Sequence, residues 1–516
     1  MLARLAEASK RVGATSARLA KVRELAGVLR LLGPDEMRIG VQYLAGDTPQ
    51  GRIGIGRGVL REAAAAPPAA SAVLSLTEVD RTITEVAALK GAGVNSLRAA
   101  ALRDLFGRAT DAEQRFLMRL LLGELRHGAL AGVMVDAIAA AAELPAGEVR
   151  RAMMYAGDIG AVAEAALLEK SVGLAKFQLE ILRPIAPMLA QTAADPADAL
   201  QQLGGEAAFE WKLDGARIQV HKAGDTVRIY TRSLNEVGAA IPEIVELVAA
   251  LPARELILDG EALALDAAGR PHPFQVTMRR LGRKLDVERM RVELPMRAFF
   301  FDCLRHKGQN LADRPARDRF HALAVALPEA LRIAQLNTSS ASDAQAFYDA
   351  ALAAGHEGLM AKSLDAPYEA GSRGASWLKI KRAHTLDLVV LAAEWGHGRR
   401  TGKLSNLHLG ALDPASGEYV MLGKTFKGLT DAMLAWQTKE LLARETHRDE
   451  WMVYVRPELV VEIAFSDLQA SPRYPGGLAL RLARVKRYRD DKKAEEADTM
   501  AAVRRIYEAQ GATPIA

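Results

Sequence analysis

Eight residues, Glu210-Trp211-Lys212-Leu213-Asp214-Gly215-Ala216-Arg217, carry the spacing Lys-x-Asp-Gly-x-Arg. The apolar approach of Ala207, Ala208, Phe209 and Trp211 predicts a strand, and Asp214-Gly215 predicts a turn just past the lysine. Beyond the turn, Ala216, Ile218 and Val220 alternate with Arg217, Gln219 and His221, the pattern of a second strand. Lys212 is therefore expected at a strand end, on rigid backbone. An ordinary lysine has a pKa of ~10.4, and deprotonating it at pH 7 costs about 4–5 kcal/mol. In a dry cleft among other cations that cost falls, and the amine becomes a nucleophile. Taken alone, the same letters also describe a surface hairpin with a solvated lysine.

Further polar groups follow in a fixed order. Thr231-Arg232-Ser233 ends a hairpin, and Asp259-Gly260-Glu261 sets a carboxylate after a turn. Phe299-Phe300-Phe301-Asp302 is an aromatic strand, and Glu357-Gly358-Leu359-Met360 opens another with a carboxylate. In Trp377-Leu378-Lys379-Ile380-Lys381 the two lysines share one face, because strand side chains alternate with period two. Two lysines on one face pack badly unless something anionic lies against them. Glu261 and Glu357, set among cations, suit metal and ribose contacts better than acid catalysis. Each group also has an ordinary reading as a turn cap, core or wet edge, and Phe299 and Phe300 are assigned to core.

The elements that must hold these groups fall into three regions. Residues 1 to about 180 read as helices, with Thr110-Asp111-Ala112-Glu113 as a capping box. Arg115, Arg119 and Arg126 fall near one side of that helix, a solvated face or a surface for DNA phosphates. The basic, glycine-rich stretch 51–58 reads as a turn, and 62–72 as a low-complexity loop. Arg183-Pro184-Ile185-Ala186-Pro187 marks a boundary. Strands dominate after it: a hairpin over 216–232, a helix over 242–251, then strands over 255–264, 297–301, 358–362 and 377–381. This predicts an α+β domain rich in antiparallel pairs. Past Asp387, short strands near 388–391, 407–412, 419–422 and 459–465 with one helix near 431–442 predict a small barrel of the oligonucleotide-binding (OB) type. From Lys492 a charged helical end is expected.

Of 516 residues, 68 are Lys or Arg and 63 are Asp or Glu, a formal charge of +5 that is too small to identify a polyanion partner by itself. The single cysteine, Cys303, excludes a disulfide framework or a cysteine zinc site within one chain and fits a reducing cytoplasm. The first residues lack a signal-peptide core, and the most apolar stretch, 129–142, is too short to span a bilayer.

The order Lys-x-Asp-Gly-x-Arg, Thr-Arg-Ser, Asp-Gly-Glu, Phe-Asp, Glu-Gly, Lys-x-Lys and a final Arg-x-Asp-Lys resembles the covalent nucleotidyltransferases. It is most similar to ATP-dependent DNA ligases of the bacterial form with a helical N-terminal DNA-binding domain, which the stretch Arg119-Leu120-Leu121-Leu122-Gly123-Glu124-Leu125-Arg126 also resembles. The resemblance implies three domains: an all-α DNA-binding domain over 1–182, an α+β antiparallel-sheet nucleotidyltransferase domain over 183–385 and a C-terminal OB-fold β-barrel over 386–516. It implies Lys212 as the adenylated lysine, Glu210 beside the adenine, and Arg217 and Arg232 on ribose and phosphate. Glu261 is implied at the ribose and with Glu357 at a metal, and Phe301 on the adenine ring. Lys379 and Lys381 are implied at the α-phosphate, and Arg484 and Lys492 at the leaving pyrophosphate. Arg481-Leu482-Ala483-Arg484 lacks the aromatic-proline pair often seen before that arginine. The implied cofactors are ATP and Mg²⁺, with Mn²⁺ as an alternative. The implied partner is nicked duplex DNA, bound by a cytoplasmic, nucleoid-associated monomer with a hinge near 382–387.

Rival readings are an RNA ligase, a guanylyl-transferring capping enzyme and a catalytically silent DNA-end-binding scaffold. The long helical region disfavours the first two. The scaffold gives no reason to keep Lys212, both carboxylates and both lysines together. An NAD-dependent ligase is disfavoured by the missing zinc cysteines.

Overall fold

A computed structural model describes all residues except 52, 92, 126–130, 282–285, 372–373, 382–383 and 510–516. Arg126 and the first residues of the expected hinge lie outside the described residues. The chain divides into two compact units, Met1–Pro187 with Glu369–Gly371, and Met188–Tyr368 with Ser372–Ala516.

Among the described residues of the first unit the regular elements are all helices, from Leu2–Ala14 to Lys170–Leu174. Its core joins side chains from successive helices, among them Leu5, Leu29, Tyr43, Phe106, Phe116 and Ile138. The Asp111–Leu121 helix begins in the expected capping box, with Thr110 and Glu113 each satisfying the other's backbone N–H. Arg115 is paired with Asp111 one turn earlier on that helix, and Arg119 is exposed. Part of the expected 51–58 turn is helix instead, since Arg57–Ala63 forms two turns whose Leu60 and Ala63 enter the core.

The second unit contains the sheets. One has the order Gln191–Thr192, Trp377–Lys381, Gly358–Lys362, Ala207–Trp211, Gln335–Thr338. Another has the order Thr226–Thr231, Ala216–Ala223, Glu255–Ala264, Met296–His306, Gln309–Asn310. The Ala216–Ala223 and Thr226–Thr231 strands form the expected hairpin, and Ile218, Val220, Ile229, Leu258 and Phe300 pack beneath this second sheet. A fully buried pair, Arg319 and Asp302, ties the Ala316–Ala326 helix to it with Nε–Oδ1 at 2.7 Å. Phe300 is core, as expected; Phe299 is only partly covered.

The C-terminal strands form a seven-stranded antiparallel sheet built on the long His384–Trp395 strand, which pairs with Leu404–Leu412, Met452–Val455 and Val460–Phe465. The Asp431–Ala443 helix packs against it through Leu434 and Leu441. The tail departs from a continuous helix: a single turn at Ala494–Glu496 precedes the Met500–Ala509 helix, whose Val503 and Tyr507 bury against the sheet. Among the described residues, no helix is long and apolar enough to cross a membrane.

Candidate active site

Strand register explains how the first sheet becomes a reactive floor. Ala208 pairs with Lys362, which pairs with Trp377; Glu210 pairs with Met360, which pairs with Lys379. In the next row the Lys212 N–H bonds the Gly358 carbonyl at 2.8 Å, and Gly358 pairs with Lys381. Side chains two residues apart share a face, so Glu210, Lys212, Lys362, Lys379 and Lys381 all belong to one surface. Glycine at 358 is required. Its φ is +138°, and a Cβ there would lie 2.2 Å from the Ile380 carbonyl oxygen. Without a side chain between them, Lys212 and Lys381 both reach Glu357, Lys212 in a close ion pair and Lys381 with Nζ at 2.7 Å.

The second sheet forms the opposite wall. Arg217 pairs in register with Glu261, and its guanidinium grips Asp259 by two bonds, Nε–Oδ1 at 3.0 Å and Nη2–Oδ2 at 2.6 Å. Between Asp259 and Gly260 the ladder to the 296–306 strand shifts, so Phe301 is an extra residue without a partner. Bulges of this kind re-aim a side chain. Here the ring turns into the cleft, edge-on to Trp377 at 6.1 Å. Gly215 lets the Asp214 turn pass over this sheet, because a Cβ there would sit 2.5 Å from the Ala262 carbonyl oxygen.

Between the walls lies a cavity of about 1040 Å³, lined by Lys212, Glu210, Arg217, Arg232, Glu261, Phe301, Glu357, Lys379 and Lys381. That is the upper end of the range for ligand clefts. Nine of the eleven sequence-predicted site residues thus line one cavity, and Arg484 and Lys492 are elsewhere. Arg484 is exposed at the pairing with Ala464, and Lys492 bonds Asp387 Oδ2 at 2.7 Å. From the same basic stretch it is Arg481, with Leu482, that lines the cavity. Arg481 Nη1 lies 3.4 Å from Asp214 and 3.2 Å from Asp467.

The electrostatics correct one expectation. Burial alone pulls the Lys212 ammonium down, but Glu357 outweighs it and holds Lys212 above the ordinary lysine value. Lys381 does not free the amine in this arrangement, because it shares the Glu357 carboxylate with Lys212. Glu357 is in turn pushed up by burial and pulled down further by Lys212 and Lys381, ending below the usual carboxylate range. Burial raises Glu261 to about 7, against the pull of Lys212 and Arg217. Asp214 is raised to about 6, by burial and then by Glu357.

Carboxylate oxygens of Asp214, Glu357 and Asp467 lie within 4.8 Å of one another. This is an all-oxygen donor set of the kind hard divalent cations take. Glu261 lines the same cavity but is outside that trio. Sequence reasoning missed Asp467, Arg481 and Lys362. The alternation that places Gly358 and Met360 on the floor continues to Lys362 and could have found it. Asp467 and Arg481 sit on a two-stranded ladder, Asp467–Ala470 with Leu478–Arg481, and no motif marks them.

A strand-end lysine among carboxylates and lysines, facing an aromatic wall across a nucleotide-sized cleft, defines a nucleotidyltransferase-type site. Residues 187–381 match the family described as ATP dependent DNA ligase domain, 400–492 its C terminal region, and 59–139 the DNA ligase N terminus. The chain is 61% identical over 510 residues to a "Probable DNA ligase" of Anaeromyxobacter dehalogenans (strain 2CP-C), covering 98% of this chain and 99% of that one. It is 56% identical to a protein of the same description from Sorangium cellulosum (strain So ce56), covering 98% and 94%. A solved structure described as Pmar-Lig_PreS3 shares the fold, with a TM-score of 0.61 over 94% of this chain and 99% of that one at 19% identity. The chain belongs to the ATP-dependent DNA ligase family, enzymes that form phosphodiester bonds.

Proposed function

We propose that the chain seals nicks in duplex DNA through a lysyl-AMP formed on Lys212. The observation that carries this reading is the row Lys212–Gly358–Lys381 with Glu357 above it, which sets one lysine at the edge of the cavity and a second cation beside it. Lys212 Nζ, having given up its proton, attacks the α-phosphorus of ATP; the P–N bond forms as the bond to pyrophosphate breaks. The AMP then passes to a 5′-phosphate, breaking the P–N bond, and a 3′-hydroxyl displaces AMP to close the strand.

Glu357 governs the first step. Shared between two lysines, it keeps Lys212 charged while it leans on Lys212; a shift toward Lys381 leaves Lys212 where burial favours the neutral amine. Lys379 and Lys381 face the α-phosphate and stabilise the charge that builds on its oxygens. Glu210 and Phe301 hold the adenine, and Glu261, Arg217 and Arg232 the ribose and phosphates. The trio of Asp214, Glu357 and Asp467 fits Mg²⁺ or Mn²⁺ by its oxygen chemistry, with Glu261 close by. A bound divalent cation supplies positive charge to the phosphate oxygens. Arg484 and Lys492 serve the pyrophosphate in a different arrangement of the C-terminal region from the one described, since neither lines the cavity here.

The proposed domains are a DNA-binding domain over 1–182, a nucleotidyltransferase domain over 183–385 and an OB-type barrel over 386–516. The seven-stranded antiparallel sheet built on His384–Trp395, with one packed helix, supports the last. We take the protein to act as a cytoplasmic, nucleoid-associated monomer whose contacts are mostly to phosphate and sugar, and whose DNA affinity therefore falls with salt. The test is incubation with α-labelled ATP, NAD or GTP and Mg²⁺, followed by a nicked duplex. Label on the protein from ATP alone, lost in Lys212→Ala and chased by nicked DNA into sealed product, is expected. Label from NAD or GTP, or none, would overturn the reading.

A further inference from the structure

Lys362 has no part in the chemistry just described, yet it is the most enclosed cation of the cavity, 1% exposed. Its ammonium lies 2.6 Å from Glu210 Oε2 and over two rings, 4.4 Å from the centre of Phe301 and 4.3 Å from that of Trp377. It also donates to the Phe301 carbonyl at 3.3 Å. The other Glu210 oxygen accepts from Gln335 Nε2 at 3.0 Å. Both oxygens of a buried carboxylate are therefore fixed, and each keeps a lone pair for a ligand. The cations around it act in the same sense: Lys362 directly, Lys212 two residues along the strand, and Lys379 across Met360. Asp302 opposes them from the second sheet, with its own charge held by Arg319.

An ionised carboxylate only accepts hydrogen bonds; a protonated one also donates. At the aromatic end of the cavity this difference decides which base fits. Adenine presents an exocyclic amine, a donor, where hypoxanthine and guanine present an oxygen.

We propose that Lys362, assisted by Gln335, is the positioning residue for base selection: it locks Glu210 as an ionised, acceptor-only group, so that a 6-amino purine is taken and a 6-oxo purine rejected. This rests on the ligase reading above. Burial holds Glu210 above the ordinary carboxylate value, and Lys362 pulls it back only in part. Removing the lysine charge thus lets the carboxyl take a proton closer to neutral pH.

The experiment is self-labelling of the full chain with α-labelled ATP or ITP across the neutral pH range. The variants are Lys362→Met, Lys362→Arg and Gln335→Met. In Lys362→Met the ATP-to-ITP ratio of kcat/KM is expected to fall roughly ten- to a hundredfold. The KM for ATP should also rise more steeply as pH is lowered than it does in the unaltered chain. Lys362→Arg should keep the ratio, and Gln335→Met should lower it by a smaller factor. Equal losses with both nucleotides at every pH, in a chain that still unfolds cooperatively, would reduce Lys362 to a packing residue and overturn the proposal. Should Lys362→Met fail to fold, Gln335→Met decides, and an unchanged ratio there overturns it. Failure of the unaltered chain to take label from ATP would instead be failure of the ligase reading itself.

Discussion

The floor sheet and the C-terminal basic stretch both crowd cations near carboxylates, but they do so differently. On the floor, Lys362 with Glu210 and Lys212 with Glu357 sit in adjacent strands whose register fixes every distance. In the basic stretch, Arg481 reaches across to Asp214 while Arg489 and Lys492 are tied to Asp387, with Nη1 at 2.6 Å and Nζ at 2.7 Å from one oxygen. Hydrogen-bonded strands cannot slip without flipping every side chain. No strand register fixes the Arg481–Asp214 pair, which is partly exposed and can be exchanged at far smaller cost. The first region is preorganised for one reaction; the second is suited to changing partners between steps.

The contrast breaks most sharply at Lys212. Lys212→Ala should abolish self-adenylation, a loss of at least ~10³-fold, with the denaturant midpoint unchanged; residual labelling on another lysine would show that register does not select the nucleophile. Glu357→Gln comes next. It should slow labelling on the order of 10²-fold. It should also lower the Lys212 pKa, because the carboxylate that holds it up is gone. A pH–rate profile whose rise with pH is not displaced to lower pH would remove Glu357 from the account.

Smaller and more discriminating is the pair Arg481→Ala and Arg484→Ala. Arg481→Ala should slow sealing by chain already carrying AMP, by about tenfold, while sparing labelling from ATP; Arg484→Ala should do the reverse. Identical effects of the two would mean the basic stretch does not change partners. The smallest effect tests the second sheet's rigidity. His221 is fully buried, bonds Gln219 at 2.9 Å, and is depressed to about 3 by burial. A group whose folded pKa is depressed binds its proton more readily when unfolded, so stability is lost as pH falls from the unfolded value of ~6.5 toward 3. Unfolding free energy should drop on the order of 2 kcal/mol between pH 7 and 5, and His221→Gln should remove that part of the dependence.

Much of the site was legible because a strand's period is short and local. Strands over 255–264, 358–362 and 377–381 appear within the expected bounds, and with them Glu261, Glu357, Lys379 and Lys381. Phe301 was legible as an aromatic but not as a bulge residue, because a bulge is a property of two strands. The helices Phe274–Leu281, Ala316–Ala326 and Ala341–Ala353, and the strand Gln335–Thr338, escaped notice between stronger motifs. The charge of Lys212 in this arrangement was not legible for a related reason. Glu357 stands among the motif residues, but that it bridges Lys212 and Lys381 depends on the pairing around Gly358, which only the fold reveals. Arg481, Asp467 and Asp387 were beyond reach, since which face of a C-terminal strand meets the cavity is set by docking and not by alternation.

The most direct test is to react the chain with ATP and Mg²⁺ without DNA, digest it, and locate the adenylyl group by mass. Lys362, Lys379 and Lys381 share the floor with Lys212, so chemistry alone offers four amines. Modification confined to the peptide bearing Lys212 is the predicted result. An adenylyl group on any of the other three, or an unmodified Lys212 in chain that seals nicks, would contradict the account.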